Sequence, residues 1–402
     1  MSNLIKVVGW ATLILTFVLL PAFPEIACTA VIVAMIASIP FLVRDLRRGA
    51  KISRAQWMVL IATGLLVLAL VPTTSAADNF VVLLALLPIP LSIALTALLS
   101  RLQGSLSLKT LSSLALCGAA LAAAISAYDV YVRGLSRGGF LTMNPIHMGD
   151  IAAILGFFAL AGLLVDRWQQ RTFLVAGPVV ALLAVLWTGS RGPLVAMLGL
   201  AALTLVYFVA VGIPQKRRKP MALTASMALV VVLGHGLSTG WLASVRGIDQ
   251  FMNLAGGNAE AVDSSTQIRL WLYEGAWNAF LASPIYGHGA GFVEAAAVYM
   301  LPNNISGWDH LHSDLADFAA FAGVMGLAAY FLLLASPLVA ALERPANTRA
   351  ATFYLALVLS AGSFAMGLTN AVLGILTLTV LFSVSLAVLP LVNVEREASE
   401  SE

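Results

Sequence analysis

Residues 308–341 read WDHLHSDLADFAAFAGVMGLAAYFLLLASPLVAA. Trp308, Asp309, His310, His312 and Asp314 crowd the start, and an apolar run over 313–341 follows with no Lys or Arg in it. About 20 apolar residues suffice to cross a hydrocarbon core of roughly 30 Å. Lipid offers a crossing segment no water to hydrogen-bond with, so its amides must be satisfied internally, as a helix does. The stretch therefore predicts a membrane-crossing helix with imidazoles and carboxylates held at one of its ends.

Working outward, similar apolar runs fall at about 5–22, 24–43, 55–72, 79–100, 110–127, 148–165, 172–188, 192–213, 221–238, 350–370 and 372–393. Together with 313–341 they predict an all-α polytopic membrane protein with about 12 transmembrane helices. Composition agrees: 60% of the 402 residues are hydrophobic and only 10% charged, against about 25% charged in a soluble domain. The mean hydropathy is +0.95. Residues 5–22 precede no small-residue cleavage site and are expected to stay as a helix. The two cysteines, Cys28 and Cys117, both fall in apolar runs and imply no disulfide framework.

One long stretch, Leu237–Asp314, cannot cross a membrane as a single span. The expected organisation is nine helices in 1–236, a polar loop with an amphipathic helix over 237–312, three helices in 313–393 and an acidic tail over 394–402. Positive charge orients it. With the N-terminus in the cytoplasm, 17 of the 22 Lys and Arg lie on that side, including Arg44, Arg47, Arg48, Lys51, Arg54 and the Lys216–Lys219 run. Both termini are then inside, and Leu237–Asp314 is outside the cytoplasm.

Arg133, Arg137, Arg191, Arg246 and Arg269 remain on the outer face, against the charge rule. Arg133 and Arg137 either snorkel to headgroups or pair with Asp129 and Asp150, and otherwise stand as secondary site candidates with Arg246. Arg191 sits in Thr188-Gly189-Ser190-Arg191-Gly192-Pro193, where one helix ends and the next begins. Pro193 suits a first helical turn, and Gly192 permits a tight reversal. A guanidinium fork beside a helix N-terminus is an anion site, above all for phosphate. Asn144-Pro145 marks a turn into the sixth helix. Asn144 is a secondary candidate there, and His147 and Asp150 are helix-start or packing residues as much as catalytic ones.

Within Leu237–Asp314, Trp241 suits a membrane interface and Gly256-Gly257-Asn258 breaks the chain. From Ser264 the pattern turns helical, with Ile268, Trp271, Leu272, Gly275 and Ala279 on one face and Arg269, Tyr273 and Trp277 on another. Arg269 reads as a headgroup contact or as a second phosphate clamp. Three glycines surround His288 in Tyr286-Gly287-His288-Gly289-Ala290-Gly291, leaving that histidine a structural, lining or functional role. His312 heads the tenth helix, where the dipole favours neutral imidazole, the form that accepts a proton near pH 7. His310, Asp309 and Asp314 are secondary candidates beside it. His310 and His312 form a His-x-His pair with no third or fourth ligand at recognisable spacing, so no metal is expected. No nucleotide-binding glycine motif appears, and nothing suggests nucleic acid.

The order of Asn144-Pro145-Ile146 with Gly149-Asp150, Ser190-Arg191-Gly192, Arg269-x-Trp271 with Pro284, Gly287, Gly289 and Gly291, and His312-x10-Gly323-x2-Gly326 resembles the O-antigen ligase and O-antigen polymerase superfamily of bacterial envelope glycosyltransferases. The resemblance covers Gly138–Gly326; Ser313 stands where that family usually has Asn. It implies a GT-C-like fold in the inner membrane, an active site facing the periplasm, and a glycan donor on undecaprenyl diphosphate. Ligases of the family pass the glycan to lipid A–core, polymerases to another lipid-linked repeat, and relatives to protein. Neither metal nor nucleotide sugar is implied. On that resemblance Arg191 and Arg269 neutralise the diphosphate and His312 deprotonates the acceptor hydroxyl. Direct displacement inverts the anomeric centre; retention would need a carboxylate nucleophile, for which Asp309, Asp314 and Asp317 are near in sequence. A transporter of an anionic lipid or other anionic substrate is the reading from another class. It predicts charged or broken helices at mid-membrane in related halves, whereas here the polar groups gather at one face.

Overall fold

A computed structural model describes residues 2–73, 82–102, 104, 106–164, 173–211, 264–300 and 308–393. In chain order the helices are α1 (Asn3–Leu19), α2 (Pro24–Arg47), α3 (Arg54–Leu70), α4 (Val82–Leu102), α5 (Leu108–Tyr131), α6 (Pro145–Leu164), α7 (Phe173–Thr188), α8 (Arg191–Ala210), α9 (Ser264–Ala282), α10 (Phe292–Ala297), α11 (Asp314–Leu342), α12 (Ala346–Gly367) and α13 (Leu376–Val388). Seven of them are long and apolar enough to cross a membrane, and α1, α3, α7 and α13 are shorter apolar helices. Among the described residues there is no strand, only an isolated bridge between Ser107 and Asn393. The protein is an all-α integral membrane protein. These helices match eleven of the twelve expected spans. The other, 221–238, lies outside the described residues, as do Arg246, Trp241, Gly256-Gly257-Asn258 and the tail.

The helix boundaries follow local chemistry. Pro24 occupies the first turn of α2, where its missing N–H costs nothing. Ser53 and Gln56 form a reciprocal capping box at the start of α3. Asn144 caps α6, its Oδ1 accepting the Ile146 N–H at 2.9 Å, with Pro145 following.

At the centre stands α6, buried from Met148 to Leu160 and packed on α5 and α7. Small residues allow that approach: a Cβ on Gly156 would lie 2.4 Å from Ala181 Cβ, and one on Gly177 would lie 2.6 Å from Ala159 Cβ. A second group packs α11 along α3 and α12, while α8 lies on α12 and α13 on α4. Asp129 is fully buried at the end of α5 and organises the loop that follows. Its Oδ1 takes the Arg133 guanidinium at 2.7 Å, and its Oδ2 accepts the N–H groups of Gly139 and Leu141.

Helix α11 is broken at Ala322-Gly323, with Gly323 at φ +62°. The loop before α10 docks into the break: Val324 N–H donates to Pro284 O at 2.8 Å, and His288 N–H to Ala320 O at 2.9 Å. Any Cβ on Gly323 would lie 2.6 Å from the Ile285 backbone. The motif glycine thus supplies both a left-handed turn and a backbone-on-backbone contact.

Candidate active site

The first residue of α11 is Asp314 and its cap is Ser313, so His312 does not head the helix as expected from the sequence. It lies just before the cap with φ +56°, in the left-handed region. A non-glycine residue held there costs of order 1–3 kcal/mol and needs its surroundings to enforce the conformation. Three contacts do so. The His312 N–H donates to His310 Nδ1 at 3.1 Å, the Tyr273 hydroxyl donates to His312 O at 3.2 Å, and the Trp308 ring meets the imidazole edge-on, centroids 4.9 Å apart. Because His310 Nδ1 accepts, the proton of neutral His310 sits on Nε2, 3.6 Å from Asp309 Oδ1. The His310 and His312 rings are 4.3 Å apart.

His312 Nδ1 is buried and has no hydrogen-bond partner among the described residues. Burial, then His310, Arg269 and His147, lower its pKa to about 4, against a smaller opposing pull from Asp309. The imidazole is therefore neutral at pH 7 chiefly because it is half-buried, with the Arg269 charge nearby, a different cause from the helix dipole inferred from sequence. Desolvation also lowers His310, with Asp309 opposing.

A hairpin between α12 and α13 forms the floor of this site, and the sequence marked it only as a boundary between spans. Asp314, wholly buried, accepts Val372 N–H at 2.7 Å and Leu373 N–H at 3.2 Å. Ser313 Oγ donates to Gly367 O, and the Tyr273 hydroxyl is shared with Leu368 O. Asn370 Nδ2 donates to Asp150 Oδ2 at 3.2 Å. Among the described residues, Asp150 thus meets Asn370 and no arginine. Thr369 packs against the Arg191 turn so closely that a Cβ on Gly192 would lie 2.4 Å from its hydroxyl. The tight reversal there is made by Gly189, at φ +61°, and not by Gly192 as expected. Gly192 is the point of close packing.

Arg191 is the first residue of α8. Arg269 lies one turn before Tyr273 on α9, in electrostatic contact with His312, Tyr273 and Arg137. The hairpin thereby brings the Arg191 turn, the Arg269–Tyr273 face and His312 to one place. Arg137 joins them through its bonds to Thr188 O and Ser190 Oγ. Arg133 is instead spent on Asp129.

The remaining candidates are dispersed among structural roles. His288 Nε2 bonds Ala279 O at 2.7 Å and ties α9 to the glycine loop. Asp317 Oδ1 accepts Leu311 N–H at 2.7 Å. Asp309 projects, 89% exposed. Its neighbour His310 and Asp317 edge an apolar cavity of about 360 Å³ whose walls include Phe292, Phe318 and Phe321. Across α11 lies a second cavity of about 350 Å³, lined by Tyr273, Trp277, Phe280 and Leu368. Among the described residues, no three of His, Cys, Asp and Glu are arranged to hold a metal ion.

Residues 176–331 match the family model described as O-antigen ligase. That segment, less than half of the chain, is similar to the O-antigen ligase family. The matched segment runs from α7 into α11 and includes Arg191, Arg269 and His312, whereas Arg137 and the 368–375 hairpin lie beyond it. No curated protein matches the chain. The match supports function of the ligase or polymerase type. That family implies a glycosyltransferase-like enzyme whose substrates are, in general, a lipid-linked glycan and a lipid acceptor.

Proposed function

We propose that this protein ligates O-antigen polysaccharide from undecaprenyl diphosphate to a sugar hydroxyl of lipid A–core. The reaction would run at the periplasmic face of the inner membrane, with both termini cytoplasmic. The observation that carries the reading is the buried, unpartnered Nδ1 of His312 beside Arg269 at the outer end of an apolar helix. His312 takes the proton of the acceptor hydroxyl. The hydroxyl oxygen bonds to the anomeric carbon as the bond from that carbon to the diphosphate oxygen breaks. Arg191 and Arg269 hold the departing diphosphate, whose charge grows as the bond breaks.

Direct displacement, hence inversion, is favoured because two carboxylates near His312 are already committed: Asp314 to the amides of Val372 and Leu373, Asp317 to that of Leu311. The two apolar cavities on either side of α11 suit a reaction that must hold two lipids. No metal or nucleotide sugar takes part in this scheme. The test is glycan transfer by purified protein from an undecaprenyl diphosphate donor to lipid A–core in excess chelator. Ligated product with inverted anomeric configuration is expected. Elongation of the donor without use of lipid A–core would instead assign the polymerase reaction.

A further inference from the structure

We propose that Arg137 is a third arginine of the anion site: its guanidinium locks the turn that carries Arg191 and presents its remaining edge to the diphosphate held by Arg269. This rests on the diphosphate clamp proposed above and extends it to a residue outside the segment that matches the family.

The buried acid that organises the loop holding Arg137 is Asp129, at the end of α5, and that carboxylate is engaged by Arg133, Gly139 and Leu141. Arg137 is left to face the other way. Its Nε donates to Thr188 O and its Nη2 to Ser190 Oγ, both at 2.9 Å. Those atoms bracket Gly189, the left-handed residue that reverses the chain into α8, and the next residue after Ser190 is Arg191. Neither bond uses Nη1. The bond to Gly138 from its own side, N–H to Trp187 O at 2.8 Å, seats the arginine against the same turn.

Arg137 is half-buried, and no carboxylate pairs with it among the described residues. Burial, and then the charge of Arg269, push its pKa below the usual arginine range. Two guanidinium groups close enough to repel, one of them half-buried, form an arrangement that a dianion between them would relieve. A diphosphate supplies that charge, and a guanidinium fork supplies the matching donors. Arg137 therefore both positions Arg191 and touches the ligand.

The test is binding of geranyl diphosphate to the purified full-length protein by calorimetry, with geraniol as the uncharged control. A charge-assisted bond lost from a half-buried site corresponds to a fall in affinity of about 10- to 100-fold for Arg137→Gln. Ser190→Ala removes only the turn contact and should weaken binding less than threefold. Wild-type affinity in Arg137→Gln overturns the proposal, as does an equal loss in Arg137→Gln and Ser190→Ala, since the effect would then pass through the turn alone. If the Gln variant does not yield monodisperse protein, Arg137→Lys should bind about tenfold more weakly than wild type, and equality with wild type overturns the proposal. Arg191→Lys and Arg269→Lys in the same assay keep the two ideas separable. Unchanged binding in both removes the clamp itself, whereas loss in both with Arg137→Gln unchanged removes only the role of Arg137.

Discussion

The chain from Trp308 to Ser313, which contains His312, and the chain from Leu368 to Ile375, which floors it, are both irregular and both adjoin apolar helices, yet they hold their backbones in different ways. In the hairpin the amides of Val372 and Leu373 are held by Asp314, and the Leu368 carbonyl by Tyr273. In the 308–313 stretch a residue is held at φ +56° and its buried ring nitrogen is left bare. Buried polar groups normally find partners. The bound amides mark the hairpin as scaffold; one side-chain atom in each stretch, Asn370 Oδ1 and His312 Nδ1, is buried without a partner among the described residues, and the second is the proposed base.

The sharpest way to break this contrast is His312→Gln, which keeps polarity and approximate size but cannot act as a base. Positioned acid–base groups contribute about 10²–10⁴ in rate. A loss of that size in initial transfer rate is expected with Tm unchanged, and near-wild-type transfer would end the assignment of His312. On the scaffold side, Asp314→Ala strands two buried amides at about 1–3 kcal/mol each. It should lower Tm and remove activity in parallel, so a variant of normal Tm that is inactive would show Asp314 to act on substrate. Tyr273→Phe, which frees the His312 and Leu368 carbonyls together, should slow transfer several-fold with little change in donor binding; a purely structural tyrosine would leave the rate alone.

The smallest effect expected is a displaced pH limb. In the free protein His312 has a pKa of about 4 against an ordinary 6.5, so the base form is present above that value and is lost as pH falls through it. A bound diphosphate brings negative charge beside Arg269 and His312 and raises the imidazole pKa. The acid limb of kcat, which reports the complex, should therefore lie at higher pH than the limb of kcat/KM, which reports free enzyme. Coincident limbs would place the diphosphate away from His312.

The apolar helices were legible in the sequence because crossing lipid demands a composition that no other role requires. Arg191, Arg269 and His312 could be picked out because polar residues are rare beside such spans. The hairpin was not legible as part of the site: its tie to Asp314 joins residues 58 apart in sequence, and Val372 and Leu373 look like any other apolar positions. Arg137 reads like Arg133, and only the fold reveals that one has Asp129 while the other turns to Thr188 and Ser190, the former 51 residues away. The left-handed turn at His312 carries no glycine to announce it. Gly192 misled for a related reason, since a glycine needed for close packing looks the same as one needed for a turn.

The break in α11 also bears on how the enzyme meets membranes of different thickness. All 29 residues of α11, at about 1.5 Å each, make a rod longer than a hydrocarbon core of roughly 30 Å. The discontinuity at Ala322-Gly323 divides it, and Val324–Leu342 alone matches that core. Both sides of the break are tied to one loop, Ala320 through His288 and Val324 through Pro284. Gly323 lets that loop enter the helix, and the elevation of His312 is referenced to the loop as well as to the lipid beneath it.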